Sequence, residues 1–124
     1  MGPMGVRVVL NGEIAEIACP PECDTEAAAE VEDAMTRVVR DGRRLLLVDL
    51  SQVRYLDSSG VRMLLRARGE AEALGGQVVV VGLQRQPRRV LELLGLRQVL
   101  RCEPSREAGL AYLSRWRQAP AEAR

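Results

Sequence analysis

Asp57-Ser58-Ser59-Gly60 is the segment of this chain best suited to chemistry. It lies between an unbroken apolar run, Leu45-Leu46-Leu47-Val48, and an amphipathic stretch that ends at Gly75-Gly76. In a strand–turn–helix unit such a turn falls at the carboxyl edge of the sheet, where sites tend to form. Ser58 then sits at or beside the helix N-cap, near backbone N–H groups that lack helical partners. The partly positive helix tip can hold phosphate oxygens, so a phosphate on Ser58 need not unfold the domain. A partner pressed onto Ser58 would have to desolvate nearly two negative charges beside Asp57. The same four residues also suit a plain helix start, because Asp and Ser are favoured caps.

Catalysis by the chain itself finds little support. The 124 residues include no histidine, so no Ser-His-Asp triad is available. All 18 basic residues are arginine, which removes Schiff-base and P-loop lysines. A nucleophile elbow needs glycine two residues before the serine, and Leu56 occupies that place before Ser58. Asp24, Asp49 and Asp57 could form a carboxylate cluster, but helix caps and strand ends suit them equally. Cys19, Cys23 and Cys102 are odd in number and irregularly spaced, which fits reduced cysteines better than a disulfide framework or a zinc site. The net charge of +1 gives no bulk drive toward nucleic acid or anionic membrane.

The elements that must position the turn follow from periodicity. Val6 to Leu10 and Ile14 to Ala18 read as strands joined at Asn11-Gly12, a hairpin signal. Asp24 or Thr25 caps a helix to about Arg40, with Val31, Met35, Val38 and Val39 on one side. Leu45 to Val48 and Val78 to Val81 lack alternation, the mark of strands buried on both faces. Pro87 opens a third helix with Val90, Leu91, Leu93 and Leu94 as its apolar side, and Gly95 stops it. Val99 to Cys102 reads as a short last strand, and Ser105 starts a final helix through about Gln118. The expected fold is α/β, a single domain over 5–118. A mixed sheet of four to five strands carries four to five helices packed against it. Residues 1–4 read as disordered, non-native residues around a native start at Met4, and 119–124 as a flexible tail. There is no signal peptide and no run long enough to span a membrane, so a cytoplasmic location without membrane insertion is expected.

Leu46-Leu47-Val48-Asp49-Leu50-Ser51, then Leu56-Asp57-Ser58-Ser59-Gly60-Val61, resembles the STAS domain of anti-sigma factor antagonists. Arg88-Arg89-Val90-Leu91-Glu92-Leu93-Leu94-Gly95-Leu96 resembles it too, and the likeness covers about Ile14 to Leu113. The resemblance implies that Ser58 accepts phosphate from an anti-sigma factor that is itself a serine kinase. It implies that the unphosphorylated form binds this kinase and releases a sigma factor, and that a metal-dependent serine phosphatase reverses the modification. Asp24, Asp57, Ser59 and Gly60 would support the acceptor turn, and Arg62, Met63 and Arg66 would form the docking surface. The kinase brings ATP and magnesium, so no cofactor, metal, nucleic acid or catalytic residue is expected here. Pro21 stands where the family has glycine, and Arg62 and Arg66 where it has small residues. The alternative is a non-catalytic structural subunit of a lipid-transport or stressosome-like complex. A small-ligand or nucleotide module is a further reading, unsupported by any glycine-rich phosphate loop.

Overall fold

The computed structural model describes residues 5–120 and 122. Residues 1–4, expected to be non-native, and residues 121, 123 and 124 of the expected tail lie outside the described residues.

The chain runs β1 (Arg7–Asn11), β2 (Ile14–Ala18), β3 (Glu22–Cys23), α1 (Thr25–Arg40), β4 (Leu45–Asp49), β5 (Tyr55–Leu56) and α2 (Ser58–Ala73). It continues through β6 (Gln77–Val81), α3 (Arg85–Leu93), a 3-10 turn (Leu96–Gln98), β7 (Cys102–Glu103) and α4 (Arg106–Gln118). The main sheet has the order β1-β2-β4-β6-β7. Only the β1–β2 hairpin is antiparallel, and the other pairs are parallel. The mixed α/β sheet with four helices matches the sequence expectation.

Strand alternation assigns the two cores. Ala15, Ile17, Leu46, Val48, Val78 and Val80 face α1 and α2, whose Val31, Met35, Leu64 and Ala67 complete the larger core. Ile14, Leu45, Leu47, Val79 and Val81 face the opposite way, onto Leu113 of α4. Burying each such side chain stabilises the fold by about 1.5–3 kcal/mol. With both faces covered, β4 and β6 need no polar side, hence their uninterrupted apolar sequences.

Three expectations at the periphery are corrected. The third helix begins at Arg85, two residues before Pro87, which occupies its first turn. Of its expected apolar side only Leu91 is fully buried, while Leu93 and Leu94 are 73% and 58% exposed. The helix packs chiefly against β5 and the 3-10 turn and covers one narrow stripe. The last strand is Cys102–Glu103. Before it, Val99 and Leu100 fold back on the 3-10 turn, each donating its N–H to the Leu96 carbonyl.

Glu16 is the one charged residue among those described that is fully inside, at 7% exposed. It points to the α4 side of β2, where Arg106 grips it with two hydrogen bonds of 2.5 and 3.0 Å. This fork offsets the desolvation that would otherwise exclude a carboxylate.

Candidate functional site

A two-residue ladder that sequence reasoning missed organises the site. β3 pairs in parallel with β5, setting Glu22 opposite Tyr55 and Cys23 opposite Leu56. Arg54 N–H donates to the Pro21 carbonyl at 2.8 Å and extends the pairing. The residues that follow each strand, Asp24 and Asp57, therefore emerge together at the carboxyl edge of the main sheet. Each caps a helix: Asp24 caps α1, and Asp57 caps α2.

The two caps are built alike. Asp24 is extended, and its Oδ1 accepts from Ala27 N–H at 2.9 Å. Asp57 is extended, and its Oδ1 accepts from Ser59 N–H at 2.9 Å and Gly60 N–H at 3.2 Å. The Thr25 and Ser59 hydroxyls hydrogen-bond each other at 2.9 Å, tying the two helix starts together. Ser58 is the first residue of α2. It is exposed, and its hydroxyl engages no described side chain.

Gly60 has a steric reason. A Cβ there would overlap Leu56 Cδ1 and sit 3.3 Å from the Cys23 carbonyl oxygen. Leu56 is fully buried, so it cannot swing aside. Gln86 of α3 holds the other edge of β5. Its Oε1 accepts from Leu56 N–H at 2.7 Å and its Nε2 donates to the Leu56 carbonyl at 3.1 Å, imitating a neighbouring strand.

The other expected residues divide. Arg62 and Arg66 are exposed on α2, and Arg66 reaches Glu32 of α1 at 3.4 Å. Met63 is a correction. It is fully buried in the core between α2 and its neighbours, so it cannot touch a partner. Arg68, further along α2, pairs with Glu72 one turn on at 3.2 Å. Asp49 stands apart from the other two carboxylates in role: its Oδ1 accepts from Ser51 N–H at 2.8 Å.

Chemically, Ser58 presents a free hydroxyl on a rigid frame. The adjacent carboxylate, Asp57, already serves two backbone N–H groups and is not aimed at the hydroxyl as a base. Two donors that a phosphate could have used are therefore spoken for, and a charge added at Ser58 meets the helix tip and Asp57 at once. Beneath the turn, Cys19 and Cys23 are buried free thiols. The Cys19 thiol is pushed up by its hydrogen bond to Cys23 and by burial.

Asp57→Ala should weaken the start of α2. Losing this cap is expected to cost about 1 kcal/mol of stability, read as a lower urea midpoint. In amide hydrogen exchange Ser59 and Gly60 should lose protection first.

The STAS-domain family profile matches residues 6–109. BtrV of Bordetella bronchiseptica, provisionally named an anti-sigma factor antagonist, is 30% identical over 96 residues, covering 77% of this chain and 83% of BtrV. An anti-sigma factor antagonist structure from Mycobacterium paratuberculosis superimposes with a TM-score of 0.79 at 26% identity, covering 88% of this chain and 92% of that one. SpoIIAA in its unphosphorylated form gives a TM-score of 0.75 at 19% identity over 94% of this chain and 99% of its own. The phosphorylated form of the Bacillus protein gives 0.68 at 21% identity, covering 84% of this chain and 96% of its own. Among the described residues no helix is long and apolar enough to cross a membrane. With the profile spanning most of the chain and BtrV alike along most of its length, this chain belongs to the STAS-domain family of anti-sigma factor antagonists.

Proposed function

We propose that this chain is a non-catalytic switch that controls a sigma factor through its anti-sigma factor, with Ser58 as the phosphate acceptor. The observation that carries the reading is the exposed, unengaged Ser58 hydroxyl on a helix start whose neighbours are all tied. An acceptor must enter another protein's active site without the domain deforming, and this frame supplies that. The solved forms of SpoIIAA, one phosphorylated and one not, support the same view.

On this reading the unphosphorylated chain binds an anti-sigma factor serine kinase in the cytoplasm, and the sigma factor is released. Phosphorylation adds about 1.5–2 negative charges beside Asp57, and the docked state is lost. A metal-dependent serine phosphatase restores the first form. Asp24, Asp57, Ser59 and Gly60 hold the turn, and Arg62 and Arg66 present the flanking polar face.

The test is phosphate transfer. Incubation with its anti-sigma factor kinase and magnesium ATP should place one phosphate on Ser58, located by peptide mass spectrometry, and Ser58→Ala should take up none. Phosphate on another residue, or stable capture by a membrane-transport ATPase with no phosphate at Ser58, would replace the switch with a structural-subunit role.

A further inference from the structure

Beyond the hydroxyl, the α3 side of the site carries an unexplained concentration of cations. Arg54, Arg85 and Arg89 line a hollow of about 510 Å³ together with Gln84 and Gln86. Arg85 and Arg89 also border an adjoining hollow of about 630 Å³, which Arg88 joins. All four arginines are exposed. Arg54, Arg85 and Arg89 take part in none of the ion pairs among the described residues. The one carboxylate on the rim, Glu92, is engaged by Arg97 at 3.1 Å.

This arrangement costs the fold something. Arg85 and Arg89 lie one helical turn apart, where like charges destabilise a helix. Arg85 is also the first residue of α3, where the helix dipole disfavours a cation. The fold gains no hydrogen bond from either side chain in return. Position supplies a reason: Gln86, on the same wall, clamps Leu56, the residue immediately before Asp57. A partner that docks over Ser58 and reaches past Leu56 toward Gln86 would meet this hollow.

We propose that the Arg54–Arg85–Arg89 hollow receives a carboxylate-rich segment of the protein that docks at Ser58. The proposal rests on the reading of the Ser58 turn as a docking face, and adds the charge of what sits beside it. Arginine forks match carboxylates in pairs, and the hollow has cations without counter-charges. Nucleic acid fits less well, because the cations form one short groove on a chain of net charge +1. Here α1 presents Glu26, Glu30, Glu32 and Asp33 instead of a continuing basic track.

The test uses the whole chain and a capped hexaglutamate peptide at about 50 mM salt, a condition that favours surface electrostatics. Amide and arginine side-chain NMR shifts should concentrate at Arg54, Gln84, Arg85 and Arg89. The R54E/R85E/R89E triple should bind the peptide at least tenfold more weakly. R7E/R40E/R115E, which makes the same charge change on arginines outside the hollow, should alter binding less than threefold. If the first triple does not give a folded spectrum, R54Q/R89Q should still lose several-fold. Equal losses in the two triples, shifts spread over all arginines, or tighter binding of a single-stranded hexanucleotide at the same salt would overturn the proposal. Neither ATP nor modification of Ser58 enters this assay. A peptide that fails to bind removes the hollow alone, and a Ser58 that is never phosphorylated removes the switch alone.

Discussion

If the chain is the proposed switch, Ser58→Asp should bind the anti-sigma factor kinase roughly a hundred- to a few thousandfold more weakly while folding at least as stably as the parent chain. The two signs have one origin. In the free protein the new carboxylate stands in solvent at the first residue of α2. There the helix dipole favours an anion by about 0.3–1 kcal/mol. In the complex the same group is pressed against a partner and must shed water. Leaving it unpaired there costs about 3–5 kcal/mol, with the Asp57 carboxylate next to it adding repulsion. A full dianion does more, and a complete swing between bound and free needs about 5.5 kcal/mol. Calorimetric titration against the kinase reads the first effect, and thermal unfolding reads the second. Binding within threefold of the parent would sink the switch. A fall in stability would mean that the substitution had damaged the turn instead.

The largest effect on folding is expected at a distance from the site. Gly76→Ala should lower stability by roughly 3 kcal/mol, as overpacking against rigid atoms does. A Cβ at Gly76 would overlap the Arg44 carbonyl oxygen and lie 2.7 Å from its carbonyl carbon. That carbonyl cannot retreat, because it accepts the Gln77 N–H at 3.0 Å at the entry to the β4–β6 ladder. Gly69→Ala provides the opposite sign. Gly69 lies within α2, is exposed, and leaves open space, with nothing within 4 Å, where the alanine methyl group would sit. Its replacement should raise stability by about 0.8–1 kcal/mol, the helix-propensity difference. Urea unfolding of the two variants side by side checks both. Equal shifts would show that the close approach at Gly76 is relieved by a backbone movement.

The buried strands were legible because β4 and β6 are covered on both faces and their sequences have no polar gaps. The starts of α1, α2 and α4 were legible because Asp24, Asp57 and Ser105 each sit where a side-chain oxygen meets an unpaired N–H. The Asp57-Ser58 turn was legible as a helix start for the same reason. What was not legible depends on how far a neighbour reaches. A helical wheel puts Met63 at the edge of an arc, yet it is fully buried in the core that α1, α2 and the sheet share. Leu93 and Leu94 look like core, yet α3 packs chiefly against β5 and the 3-10 turn and leaves them in solvent. Glu16 reads as an outward residue until Arg106, distant in sequence, arrives to hold it. The β3–β5 ladder is two residues long on each side, too short for any periodicity to register.

If Ser58 is the acceptor we propose, that short ladder makes it a discontinuous object. Glu22-Cys23 and Tyr55-Leu56 lie far apart along the chain, yet between them they fix the spacing of two helix tips bridged by Thr25 and Ser59. An enzyme that grips both tips reads the folded protein and not a linear motif. A freshly made or unfolding chain, carrying the same serine without the frame, would pass such an enzyme unrecognised, and the proposed signalling would then be confined to molecules that have completed their fold.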